Sequence, residues 1–170
     1  MPSKLLYKFE KTLFGCIALR FSNNGKYLAS SCINEDHKAI INVFSIENEG
    51  KVSSIGYHHE IAHSIRWSVN DKHIMSCSSD CTLKIWKFKE RDDNFLSNDT
   101  KLHLCTLNHP SYVYACEFVN TISVIEKTKL YVISGCHDGK IRLWMVNIHS
   151  AQGEEKFKLI YEIEIPQNDV

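Results

Sequence analysis

The chain has 170 residues and carries 20 basic and 20 acidic side chains, a formal net charge of zero. That balance removes the broad positive field that would favour nucleic acid or an acidic membrane surface, while leaving room for a local patch. No run of about eighteen apolar residues exists to span a bilayer, and charge interrupts the start MPSKLLYKFEK before a signal-peptide core can form.

The expected setting is therefore cytoplasmic or nuclear. Seven cysteines, an odd number, fit that setting as free thiols, several of them serving as small apolar residues inside strand-like runs.

Taken in order, residues 4–9 alternate well enough for one strand, with Leu5, Tyr7 and Phe9 on a shared face. CIALRFSNNGKYLASSC then reads as two strands joined by Ser22-Asn23-Asn24-Gly25, a hairpin turn. Residues 38–45 are apolar and β-branched, and residues 51–57 make a fourth strand. The unit then recurs at 62–68, 73–78, 82–88 and 102–107, and again at 113–118, 129–135, 140–146 and 157–165.

The polar stretches 90–101 and 147–156 read as insertions between third and fourth strands, and 121–127 as a lengthened loop between a first and a second strand. Surface connections accept such additions cheaply. No convincing helix is present; 122–127 offers a turn or two at most. The fold class expected is all-β.

Two stretches share a register. SCSSDCTLKIW (76–86) and SGCHDGKIRLW (134–144) both place Asp four residues after Ser and six before Trp. A hairpin does not need that spacing, so its recurrence marks a repeated unit. Phe21, Trp67 and Phe118, which end the first strands, stand 46 and 51 residues apart.

Four-stranded units of this period with Trp on the third strand resemble the blades of WD40 β-propellers. The resemblance implies, in each full blade, a hydrogen-bonded tetrad of His, Ser, Asp and Trp. On this chain the matching positions are His58, Ser76, Asp80 and Trp86 in the middle blade, and His109, Ser134, Asp138 and Trp144 in the last.

The first blade departs from the pattern. Phe44 stands in place of Trp, the turn is longer with Asp36 out of register, and no tetrad is assigned there. The middle blade has Cys81 where glycine is expected.

The implied division is an entering strand of a preceding blade in 1–14, then blades in 15–57, 58–108 and 109–170. Three blades do not close a ring that usually needs four to eight. The expectation is a fragment of a longer propeller, with a partial gene product or a short form completed by another chain as alternatives. Within the family, LNHPSYVYACEF and GCHDGKIRLW are similar to the corresponding pieces of a ciliary transition-zone scaffold. That likeness implies binding of transition-zone or basal-body proteins, with no catalysis and no cofactor. The rival within the family is an adaptor in ubiquitin ligation or histone binding.

Other chemistry has weaker signals. Ser, His and Asp recur, but no Gly-x-Ser-x-Gly elbow accompanies them. His58, His59 and His63 lie near Cys77 and Cys81 in sequence, but without the paired short spacings that announce zinc. His103, Cys105 and His109 alternate along a strand into a loop and read as surface and edge positions. The eighteen aromatics fall mostly at strand positions and read as core rather than as a base-stacking platform. By resemblance, partners would dock on the loops that carry the tetrad His and Asp. The candidate contacts are Asp36, His37, His59, Glu60, Ser79, Pro110, Ser111 and His137.

Overall fold

Alternating side chains and short polar turns leave this chain no cheaper arrangement than antiparallel hairpins, each next strand pairing with the one before. The computed structural model describes residues 15–47, 52–89, 102–119, 128–150 and 155–166. Among these residues are twelve strands in three four-stranded antiparallel sheets. The first sheet holds β1 (Cys16–Phe21), β2 (Tyr27–Ile33), β3 (Ala39–Ser45) and β4 (Val52–His58) in sequence order. The second holds β5 (Ala62–Trp67), β6 (His73–Ser78), β7 (Thr82–Lys87) and β8 (His103–Asn108). The third holds β9 (Val113–Phe118), β10 (Lys129–Cys136), β11 (Lys140–Asn147) and β12 (Phe157–Glu164). The entering strand expected at 4–9, the insertion 90–101 and the loop 121–127 lie outside the described residues.

The sheets stack face to face as blades one, two and three. Ala29, Ile41 and Val43 of blade one meet Ile65, Trp67, Ile74 and Trp86 of blade two in one apolar cluster. On its other face, blade two presents Met75, Leu83, Ile85 and Leu107 to Val113, Val132, Trp144 and Val146 of blade three. Blade two is thus buried on both sides, and every residue of β6 is buried.

The turns that join first and second strands repeat in detail. Ser22 Oγ donates to Asn24 Oδ1 at 2.8 Å, and Ser68 Oγ donates to Asn70 Oδ1 at the same distance. Gly25 takes φ 73° at the turn, and Asp71 takes φ 55° at the matching position. A non-glycine residue in that region carries strain. Here the Asp71 carboxylate is also a clasp between blades: it accepts from Asn23 N at 2.8 Å, Asn23 Nδ2 at 2.7 Å and Asn24 N at 2.9 Å. Trp67 Nε1 adds a bond to Arg20 O at 3.0 Å. Asp71→Ala keeps the strained backbone and loses the clasp, so chemical denaturation should show a loss of about 2 kcal/mol. An unchanged midpoint would mean the clasp contributes nothing.

Packing between blades is close at Gly56 of β4. A Cβ added there would sit 2.5 Å from Trp86 Nε1 and 3.0 Å from Cε2, an indole itself only 2% exposed. Gly56→Ala should therefore destabilise by about 1–3 kcal/mol. A melting temperature equal to that of the parent would show that the indole can move aside.

Candidate functional site

In blade two, the end of β4 brings His58 beneath the β6–β7 hairpin. His58 is fully buried, and its Nδ1–H donates to the Asp80 carboxylate, 3.0 Å from Oδ2 and 3.1 Å from Oδ1. Ser76 Oγ–H donates to His58 Nε2 at 2.6 Å. Asp80 also accepts from Thr82 Oγ1, from Thr82 N at 3.1 Å and from His59 N at 3.0 Å. Trp86 meets the imidazole edge-on, with ring centroids 5.7 Å apart. No bond from its indole to Ser76 is present among the described residues. His58, Ser76 and Asp80 form one hydrogen-bonded chain, and Trp86 joins it by packing.

Charges follow the geometry. Burial pushes the His58 imidazole below its ordinary range, against the pull of the Asp80 carboxylate. Burial would raise Asp80, but the bonds from His58, Thr82 and His59 outweigh it and hold the carboxyl well below the usual carboxylate range. The pair is a neutral imidazole donating to a carboxylate.

Blade three differs from the expectation. Trp144 Nε1–H donates to Ser134 Oγ at 3.0 Å, and Ser134 Oγ–H donates to His109 Nε2 at 2.8 Å. His109 Nδ1–H then goes to the Leu107 carbonyl at 3.1 Å rather than to Asp138. Asp138 is held by Arg142 through both terminal nitrogens, and Arg142 Nε also reaches Glu162 Oε2 at 2.8 Å. The fourth member is thus diverted into an ion-pair network.

The register explains the difference. Thr82, which supports Asp80, is matched in blade three by Lys140, which pairs with Glu162 at 2.6 Å. Lys84 is matched by Arg142, whose planar fork suits a bidentate carboxylate contact. Lys84 instead turns to Tyr57 O at 2.9 Å. Cys81 takes φ 63° where Gly139 takes 78°, so a side chain occupies a left-handed position.

The loop residues fall into three groups. Asp36 and His37 are exposed on the β2–β3 turn of blade one, where Asn34 Oδ1 accepts from Asp36 N and Lys38 N and His37 takes φ 61°. Of the others, His59 and Glu60 lie on the β4–β5 connection between blades one and two, and Ser79, Pro110, Ser111 and His137 lie on turns of blades two and three. Ser79 bonds His63 Nε2 at 2.7 Å, Glu60 O accepts from Ser78 Oγ, and Ser111 O accepts from Cys136 Sγ. His137 N donates to Tyr112 O at 2.8 Å. His59 and Pro110 are exposed.

Tyr112 and Tyr114, 46% and 45% exposed, join His63 and His137 in a contiguous ring cluster. The expectation that the aromatics lie mostly in the core does not hold for these two, which are surface residues. The signal was the Tyr-Val-Tyr alternation, in which only Val113 is buried. Cys105 and His109, read as surface and edge positions, are buried, and burial pushes the Cys105 thiol up to about 12. Among the described residues, no three His, Cys, Asp or Glu side chains converge as a metal site would need, and no helix is long and apolar enough to cross a membrane.

Comparison with known proteins accords with this architecture. The family description "WD domain, G-beta repeat" matches residues 49–87 and 102–145. The chain is 31% identical to rat (Rattus norvegicus) jouberin and 30% identical to mouse (Mus musculus) jouberin, each over 147 residues. The match takes in 86% of this chain and 13% of either jouberin. A WD repeat-containing protein 26 homolog from Arabidopsis thaliana is 35% identical over 77 residues, 44% of this chain and 12% of that protein. Among solved structures, the RRP9 WD40 repeats superpose with a TM-score of 0.61 at 16% identity, covering 91% of this chain and 40% of that one. Strand order, repeat spacing and sequence likeness agree, and this chain belongs to the WD40-repeat family.

Proposed function

We propose that the chain is part of a non-enzymatic protein-interaction scaffold, that further propeller blades cover its two open flanks, and that it works at the ciliary base or transition zone. The observation that carries the scaffold reading is the pair of uncovered blade faces. On blade one, Leu19 and Phe21 are 56% and 59% exposed; on blade three, Tyr161 and Ile163 are 60% and 48% exposed. Soluble proteins rarely leave such contiguous apolar surface open to water, and repeat units rely on neighbours to cover it.

The cellular setting rests on the likeness to jouberin along most of this chain. Serine, histidine and aspartate in blade two are held to one another and to backbone, so their recurrence has a structural explanation. Fluorescent tagging of the endogenous protein in ciliated cells tests the setting. Signal concentrated at the base of the cilium is the expected result. A signal confined to chromatin, or co-purification with ubiquitin-ligase subunits in place of basal-body proteins, would overturn it.

A further inference from the structure

The interface between blades two and three contains a cleft at the position where aromatic rings pack together between blades one and two. Tyr27 of β2 and Trp67 of β5 face each other across the first interface, with ring centroids 6.4 Å apart, and Phe88 packs 4.8 Å from Tyr27. One blade further on, the same two register positions hold His73 and Phe118. Both rings are smaller, and a cleft of about 580 Å³ opens between them. That volume lies within the ~300–1,000 Å³ of ordinary ligand pockets.

The chemistry of the cleft is one-sided. Among the described residues, Lys72, Lys87 and Lys89 line it, none of the three with an ion-pair partner, and no carboxylate does. Phe88, Phe118 and Ile148 supply apolar surface. His73 lines the cleft while only 6% exposed, and its Nδ1 is buried without a hydrogen-bond partner. A buried polar atom left unpaired costs about 1–3 kcal/mol, so a donor or acceptor arriving with a ligand gains what the fold leaves unmet.

We infer that this cleft binds a short acidic segment of a partner protein, its carboxylates on Lys72, Lys87 and Lys89 and an apolar side chain against Phe88 and Phe118, with His73 Nδ1 meeting a polar group of the segment. Charge complementarity selects the occupant, and the apolar wall distinguishes a peptide from a bare anion. The proposal stands on the cleft itself and does not depend on the cellular setting above.

Fluorescence anisotropy with a fluorescein-labelled hexapeptide, Asp-Glu-Phe-Asp-Glu-Asp, tests it on the purified protein. Saturable binding in the ~10–100 µM range is expected. The double variant Lys72→Glu, Lys87→Glu alters only lysine side chains outside the apolar core and should weaken binding at least about tenfold with an unchanged melt. His73→Tyr restores the blade-one arrangement, closes the cleft and should weaken binding comparably while leaving every lysine in place. Equal binding by either variant would overturn the proposal. So would equal binding of a peptide with glycine in place of phenylalanine, or full displacement by inorganic phosphate at ~1 mM, which would mark a small-anion site.

Discussion

Substituting Asp80 by alanine is expected to destabilise the protein by about 3–5 kcal/mol, the cost of leaving several donors at a largely buried site without their one charged acceptor. Four donors lose their acceptor together: His58 Nδ1, His59 N, Thr82 N and Thr82 Oγ1. His58 is fully buried and has only Thr82 Oγ1, 3.1 Å away, to turn to. Asp138→Ala supplies the internal comparison. Its loss leaves Arg142 paired with Glu162, and His109 still bonded to Ser134 and to the Leu107 carbonyl. That variant should cost about 1–2 kcal/mol. Urea unfolding of the two variants side by side measures the difference. Equal costs, or a larger cost at Asp138, would contradict the assignment of the buried network to blade two.

Acid should unfold the protein well before its carboxylates are all protonated. The three buried histidines, His58, His73 and His109, are shifted below their ordinary value, in each case first by burial. At His73 the value falls to about 4, with Lys87, Lys72 and His149 adding to the effect of burial. A histidine lowered in the folded state binds its proton more readily when unfolded. Its contribution is therefore complete above about pH 6.5 and is lost as pH falls toward the folded value.

For His73 alone, the difference between 6.5 and about 4 corresponds to roughly 3 kcal/mol. The depressed Asp80 carboxyl has the same sign but acts lower, below the ordinary carboxylate range. Unfolding free energy measured from pH 7 to 4.5 should fall continuously, and His73→Phe should flatten the slope by about one proton. A flat profile between pH 7 and 5 would contradict the buried, neutral state of these rings.

Most of the strand plan was legible because its signals are local. Alternation placed β6 and β9 at the residues the structure shows, and Asn, Asp and Gly marked the turns between strands. The His58–Ser76–Asp80 chain could be read because the spacing of its members repeats. The fate of Asp138 could not be read from that spacing alone. It depends on Arg142 four residues later and Glu162 on a third strand, and only the folded sheet brings the three together. The sign was nevertheless present: arginine and lysine stand in blade three where blade two has Lys84 and Thr82.

The exposed tyrosines and the cleft were hidden for a related reason. Strand alternation shows which residues share a face, but not whether a neighbouring blade covers it. Tyr114 packs against His63 and His137 across the boundary of blades two and three. The cleft arises from two ring-size changes, Tyr27 to His73 and Trp67 to Phe118, that matter only once these positions are known to face each other.

The scaffold proposal requires that the apolar flanks of these blades be interfaces. Hydroxyl-radical footprinting of the native protein isolated from cells, compared with the 170-residue chain alone, tests it most directly. The prediction is that Phe21 on blade one and Tyr161 on blade three are strongly labelled in the isolated chain and protected in the native assembly. Equal labelling of both residues in the two samples would mean that the flanks stay open to water, and the scaffold reading would fail.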